Sequence, residues 1–367
     1  MYSYQYLLQY YQQLPLVLKW VWVFIIVLFV ILCALVVYLI LLRSKLRREE
    51  KLTIKYKKQY EELLISYIEN DVAGEEISPE QKKIVNKFKV YVTDSFKRNV
   101  LVSVMLNLKN AISGDVAQII YELYHEARLV NYALVNLDSG KWHIIAKGIR
   151  ELTQFEIIAA KDKVKRHRNH KRREVRIEVQ LFMIKLFHFK GLDFLNDLKW
   201  SLSEWDQIQL LEVLHRLENQ QLPNITPWLR SKNDSVVIFA LKLLKFYSQY
   251  EGKTELLELL NHKNDNIRLK TIELLKEFDF KEAKEAIKNS FNDRSTEDQV
   301  AFLRVLESNY NKNDEPFLLD QAKNENFKIK FSVLKILKNL NLNKLTELKE
   351  SATDSEYVKL VNFIENN

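Results

Sequence analysis

At 367 residues the chain has room for one large folded body with an anchor, or for two ordinary domains. Glycine is scarce at 6 and proline at 5 while Leu, Lys, Glu and Ile dominate, a balance that points to helices and away from turn-rich β architectures. The single cysteine, Cys33, rules out an intramolecular disulfide framework and a cysteine-based metal site. The formal charge of +8 is concentrated in two short segments, so the basicity needs local explanations.

Residues 1–15 form a tyrosine-rich tail, and residues 16–42 are expected to be a transmembrane helix. The stretch 21–42 carries 22 residues without a charge, which at about 1.5 Å per helical residue matches a hydrocarbon core of about 30 Å. No positive start or small-residue cleavage site accompanies it, so it is read as a retained span rather than a cleaved signal. Arg43, Lys45, Arg47 and Arg48 follow it directly, whereas only Lys19 precedes it. That asymmetry predicts a single-pass protein of the cytoplasmic membrane with the N-terminus outside and the C-terminal body in the cytoplasm. Trp20 and Trp22 suit the outer interface, where an indole keeps its polar edge wet. The abundance of Lys, Asn and Ile has a bacterial look.

Residues 43–77 read as a basic juxtamembrane helix and linker, with Ile54, Tyr56, Tyr60 and Leu64 on a partial apolar stripe. Segment 43–58 holds eight Lys/Arg against two Glu, which is accounted for by topology. Ser78, Pro79 and Gln81 then supply an N-cap, a first-turn proline and a capping-box acceptor. An irregular helical region is expected over 78–155.

A period emerges beyond it. Leu243/Leu244, Leu274/Leu275, Val305/Leu306 and Ile336/Leu337 form one evenly spaced series, and Leu241, Ile272, Leu303 and Leu334 lie two positions before each pair. All twelve places are apolar in a chain that is 47% hydrophobic, so chance is a poor explanation. Ile225, Leu256, Ile287 and Leu318 mark a preceding helix in each unit, and Leu211, Val213, Leu214, Phe182 and Met183 continue the pattern backwards. Polar connectors separate the helices at 231–234, 261–265, 292–296 and 324–328. The prediction is an all-α chain with antiparallel helix pairs repeated over 156–367. Trp142, Trp200, Trp205 and Trp228 neighbour apolar repeat positions and are read as packing between helices.

Asp265, Ile267, Arg268, Leu274 and Leu275 in one unit, with Val175 and Arg176 opening another helix, give this region its resemblance to the HEAT family, in particular to its short-repeat members. The resemblance covers roughly half of the chain and implies a HEAT-like α-solenoid. Such arrays stack hairpins that cannot bury their apolar faces alone, and their inner surface commonly takes up a protein or an extended polymer.

The segment 161–176 holds nine Lys/Arg against two acids. Lys165, Arg166, Arg168, Lys171, Arg172 and Arg173 are the candidate contacts for an anionic lipid surface, an acidic partner or nucleic-acid phosphates, against the plainer reading of a solvated link between repeats. No aromatic residue is interleaved for base stacking, which disfavours nucleic acid. Glu122 with His125 and Glu212 with His215 have the Glu-x-x-His spacing of carboxylate metal sites, but in different repeats and without a further ligand pair, so no metal or other cofactor is expected. Phosphate-loop, nucleophile-elbow and zinc-helix motifs are absent from the sequence. The expectation is a non-catalytic membrane scaffold whose solenoid binds a protein partner at the inner membrane surface. Polyanion binding through 161–176 is the alternative, an enzyme in the solenoid groove ranks third, and no small-molecule substrate is expected.

Overall fold

The computed structural model describes residues 15–70, 78–111, 114–216, 223–248, 253–277, 280–340, 342–350 and 355–366, and every regular element among them is helical. The predicted outer tail therefore lies outside the described residues except for Pro15. The chain divides into two compact units, Met1–Tyr132 and Ala133–Asn367.

The first unit is organised by one long helix, α1 (Leu16–Glu69), which with 54 residues runs about 80 Å. Its N-terminal half is long and apolar enough to cross a membrane, and none of its most apolar window is covered by the rest of the chain. Its C-terminal half has the opposite fate. Tyr60, Leu64 and Tyr67 are buried together with Phe88 of α2 (Pro79–Tyr91) and Leu101 and Met105 of α3 (Ser95–Ala111). The Tyr60 ring meets Phe88 edge-on at 6.2 Å and stacks on Tyr56 at 5.8 Å, and the Lys97 ammonium lies over Tyr56 and Tyr91. The segment 43–77, read from the sequence as a basic helix and linker, thus supplies core residues as far as Tyr67. The partial stripe of Tyr60 and Leu64 was the relevant signal, because two aromatic or leucine positions one turn apart bury readily once α2 and α3 cover them.

The expected start of α2 is present in full. Ser78 Oγ accepts from Gln81 N at 3.2 Å, and Gln81 Oε1 accepts from Ser78 N at 2.9 Å, with Pro79 at the first helical position. The Gln81 amide also donates to Tyr67 O, tying α2 to α1. Helix α4 (Asp115–Glu126) completes this unit, and α5 (Leu129–Asn136) spans the division.

The second unit is a stack of helix pairs. Its longer, second helices are α6 (Trp142–Gln154), α8 (Arg173–Phe187), α9 (Glu204–His215), α11 (Asp234–Tyr247), α13 (Asp265–Leu274), α15 (Thr296–Ser308) and α17 (Phe327–Leu340), and their starts are almost evenly spaced along the chain. The shorter first helices between them are α7 (Lys161–Lys165), a 3-10 segment (His188–Asp197), α10 (Thr226–Leu229), α12 (Lys253–Leu259), α14 (Lys281–Asn289) and α16 (Glu315–Gln321), with α18 (Leu342–Glu350) and α19 (Ser355–Asn366) closing the chain. Packing is sequential: α6 lies on α8, α8 on α9, α11 on α13, α13 on α15, α15 on α17, and α17 on α19.

All twelve apolar places of the repeating columns are buried, as are Ile225, Leu256, Ile287 and Leu318 of the preceding helices. At about 1.5–3 kcal/mol for each fully buried aliphatic side chain, this spine is the dominant favourable contribution to the stack. The connectors do more than turn. Asn233 and Asn264 cap their own helices through Oδ1, accepting from Ser235 N and Asn266 N. Their amide nitrogens donate backwards, Asn233 to Leu198 O and Trp200 O and Asn264 to Asp234 Oδ2. An asparagine carries both an acceptor and a donor, so one residue caps a helix and grips the preceding repeat.

Two expectations fail in this unit. Trp205 is 61% exposed and Trp200 44% exposed, so neither is an inter-helix packing residue. Leu211 and Val213 are only half-buried. All four belong to α9 or the loop before it, and α9 is turned so that Leu210 joins Leu214 in the core while Leu211 and Val213 flank it.

Close backbone contact fixes the 3-10 segment. A Cβ placed on Gly191 would overlap the carbonyl of Met183 in α8, a main-chain group that cannot swing aside. Gly191→Ala is therefore expected to destabilise the second unit by about 1–3 kcal/mol through forced separation of the two segments. A thermal melt unchanged from the wild type would refute that contact.

Candidate functional site

The basic segment divides by what each cation touches. Arg173 is committed to structure: Nε lies 3.1 and 3.2 Å from the two carboxylate oxygens of Asp206, and Nη2 lies 2.6 Å from Oδ1 and 3.1 Å from Ser203 Oγ. Burial pushes the Asp206 carboxyl upward, but hydrogen bonds from Arg173 and Ser203 outweigh it and hold the group below the ordinary carboxylate range. Arg168 pairs with Asp197 at 3.1 Å, and Arg172 lies over the Trp142 ring at 5.3 Å. Lys165, Arg166 and Lys171 have no partner among the described residues. Three of the six candidates are therefore bound within the fold, and three present free charge.

The folded chain also supplies aromatic rings that the linear segment lacks. Trp142 arrives under Arg172 from α6, and Trp200 lies under Arg176 at 4.8 Å from the loop before α9. Both rings are already occupied by guanidinium groups. His167 sits half-buried beside His170, and burial followed by the repulsion of that neighbour lowers its pKa.

Close to this segment lie two open hollows of about 880 and 830 Å³, the first at the turns between first and second helices and the second along the end of α8, the 3-10 segment and the start of α10. They share Asn196, Pro227 and Trp228 in their linings and so adjoin, together making a cleft of two hollows. Trp228 is buried in its floor and donates its indole N–H to Asn196 Oδ1 at 2.8 Å. One hollow is bordered by Lys199, Lys232 and Lys263 and the other by Lys161 and Lys190, against Asp234 and Asp193. Lys161 lies over the Phe187 ring at 4.2 Å, and Asp234 is engaged by Asn264. The ammonium groups of Lys190, Lys199, Lys232 and Lys263 have no partner among the described residues.

This cluster was missed in the sequence because Lys232 and Lys263 lie inside connectors read as turn chemistry. A usable signal existed: Lys171, Lys232, Lys263 and Arg294 each stand two positions before the start of a second helix. Arg294 has turned inward to Leu260 O, at 2.7 Å, and burial lowers its pKa.

The Glu-x-x-His pairs are not assembled into a centre. Glu122 accepts from Gln118 and His125 packs on Tyr121, while Glu212 pairs with Arg216 at 2.6 Å. Among the described residues no group of three or more metal-ligating side chains converges.

No family model matches the sequence. No curated protein matches it either. Among solved structures, human deoxyhypusine hydroxylase in complex with glycerol is similar at 11% identity and a TM-score of 0.29, covering 79% of this chain and 97% of the other. A structure of microtubule polymerases with TOG domain arrays, described for tubulin recruitment and assembly, gives 11% identity and a TM-score of 0.25, covering 84% and 97%. Both scores are too low to carry a reading of function, and the helical repeat stands on the sequential packing itself.

Proposed function

We propose that this chain is a non-catalytic, membrane-anchored scaffold of HEAT-like architecture that holds a protein partner at the inner face of the cytoplasmic membrane. The observation that supports the anchor is the uncovered apolar half of α1, which leaves 22 uncharged residues facing outward over the length of a bilayer core. Water is an unfavourable surrounding for such a surface, and a second bilayer feature sits beside it: Arg43, Lys45, Arg47 and Arg48 extend from the end of the apolar run, with Trp20 and Trp22 at its start. The observation that supports the scaffold is the stack of helix pairs, an architecture whose extended surface takes up macromolecules.

Continuity of α1 adds a mechanical element. The same helix is apolar at one end and buried in the first unit at the other, so no slack linker separates the anchor from that folded unit. Confinement at the membrane then raises the concentration of the folded body toward other membrane proteins without any added contact.

Topology and partner are tested together. In a Cys33→Ser background, Ser3→Cys is expected to react with an impermeant thiol reagent on intact cells, and Lys281→Cys only after lysis. Release of the chain by carbonate washing overturns the anchor, and the reverse labelling pattern overturns its orientation. Cross-linking in native membranes followed by mass spectrometry is expected to recover a second protein, and recovery of this chain alone overturns the scaffold.

A polyanion reading is supported by Lys165, Arg166 and Lys171, whose charges remain free among the described residues. Each cation near an anionic lipid surface contributes about 1 kcal/mol, so three of them steer the body rather than hold it.

A further inference from the structure

The scaffold reading leaves the chemistry of its partner open, and the cleft around Trp228 narrows it. We infer that this cleft binds an extended acidic polypeptide segment whose carboxylates recur about every third position, with apolar side chains between them. The inference rests on the scaffold reading for its biological setting and on the cleft alone for its chemistry.

The first element is charge. Lys190, Lys199, Lys232 and Lys263 border the cleft without a partner among the described residues, whereas many other cations of this unit are paired. Lys245 meets Glu277, Lys284 and Lys288 share Asp314, and Lys344 and Lys349 meet Glu347 and Glu365. Two acids line the cleft, Asp234, which accepts from the Asn264 amide at 2.7 Å, and Asp193, so the lysines outnumber the carboxylates. An anionic guest is thus favoured, and a cationic one is repelled.

The second element is spacing. Lys199, Lys232 and Lys263 come from three successive repeats at intervals of one repeat, and packed helices lie about 8–10 Å apart. An extended peptide in the polyproline II form rises about 3.1 Å per residue with about three residues per turn, so carboxylates at every third position fall on one side and meet one lysine after another. A strand of B-form DNA delivers a phosphate about every 3.4 Å of helix axis, roughly three for each lysine. Base stacking has no support here either, since among the described residues Trp228 is the one aromatic lining the hollow that bears these three lysines, and it is buried.

The third element is the lining between the charges. Leu195, Leu198 and Pro227 in one hollow and Leu186, Phe187 and Phe189 in the other provide apolar contacts for side chains between the acids. The walls are ordered by the Asn233 amide, which holds Leu198 O and Trp200 O, and by the Asn196–Trp228 hydrogen bond.

The test uses the full chain in mild detergent and a short fluorescein-labelled peptide built of successive Glu-Leu-Ser triplets. Binding is expected to weaken at least tenfold in the triple variant Lys199→Glu, Lys232→Glu, Lys263→Glu and to fall with added salt, while the control Lys185→Glu, Lys281→Glu leaves it unchanged. All five lysines are exposed, so circular dichroism and melting are expected to match the wild type. Equal binding by the triple variant overturns the inference, and so does tighter capture, through the same three lysines, of an oligothymidylate or of phosphatidylglycerol vesicles. A partner cross-linked in membranes equally well by the triple variant would refute the cleft while leaving the scaffold standing. Loss of the cross-link only in the triple variant supports both.

Discussion

Replacing Asp314 with alanine is expected to cost about 3–5 kcal/mol and to raise hydrogen exchange first across α14 and α16. The carboxylate is buried and is held between two buried lysines of the preceding repeat. Lys284 Nζ lies 2.9 Å from Oδ2, and Lys288 Nζ lies 2.5 Å from Oδ1. Asp314 also accepts from Asn311 N, closing the 3-10 turn that leads into α16. Removing it leaves the buried Lys284 ammonium with only the Asn309 carbonyl and no counter-charge, while Lys288 keeps Glu285. That uncompensated desolvation, rather than the loss of the pair's own net contribution, is what makes the effect large. Asp314→Asn keeps the shape and one acceptor and is expected to recover only part of the loss. An alanine variant as stable as an ordinary surface substitution, within about 0.5 kcal/mol of the wild type, would mean that the lysines escape to solvent.

The same cluster sets a pH window. Burial pushes Asp314 upward, but its bonds from Lys288, Lys284 and the Asn311 backbone outweigh burial and leave its pKa lowered. A depressed carboxylate contributes stability that is complete above its unfolded value of about 4 and is lost as pH falls through the folded one. Burial likewise disfavours the Lys288 cation, yet Asp314 and Glu285 reverse this and raise its pKa. Its contribution is complete below the unfolded lysine value of about 10.4 and is lost as pH rises through the folded one. The cluster therefore contributes its full stabilisation across neutral pH and fails at both extremes.

Much of this architecture was legible as periodicity. The columns led by Leu241 and Leu243 specified the second helices because burial on a stacked helix leaves few alternatives to an apolar side chain, and Ser78-Pro79-Gln81 specified a helix start through local chemistry. What escaped was whatever depends on which neighbour arrives. Arg173 looked like one more cation in a basic run until Asp206, one repeat further along the chain, came to bind it. Trp205 has the composition of a core residue, and only the rotation of α9 leaves it exposed. The lysines of the cleft are separated by whole repeats, so no sequence window contains them together. Half of the basic segment and all of the cleft were tertiary facts.

A second buried pair is expected to govern the register of the stack. Arg268 of α13 spans two repeats: its Nε donates to Asp298 of α15 at 2.8 Å, while Nη1 and Nη2 hold His262 O at 2.9 Å and Asp265 Oδ1 at 2.7 Å. The arrangement recurs three repeats earlier with a change of donor, since Arg176 holds the His170 and Lys171 carbonyls while Arg173 takes Asp206. Asp298 is 1% exposed and Arg268 is 16% exposed, so Arg268→Ala leaves a buried carboxylate without its cation, at about 3 kcal/mol. The double variant Arg268→Met, Asp298→Leu removes both charges and is expected to return most of that stability, because well-packed apolar replacements avoid the desolvation cost. Its cost should appear elsewhere. Repeats with similar apolar columns can pack one unit out of step, and a buried charge that finds its partner in only one alignment penalises the slipped forms. Refolding of the double variant is then expected to be slower or heterogeneous at near-native stability. Wild-type refolding by the double variant would show that the apolar spine alone fixes the order of the repeats.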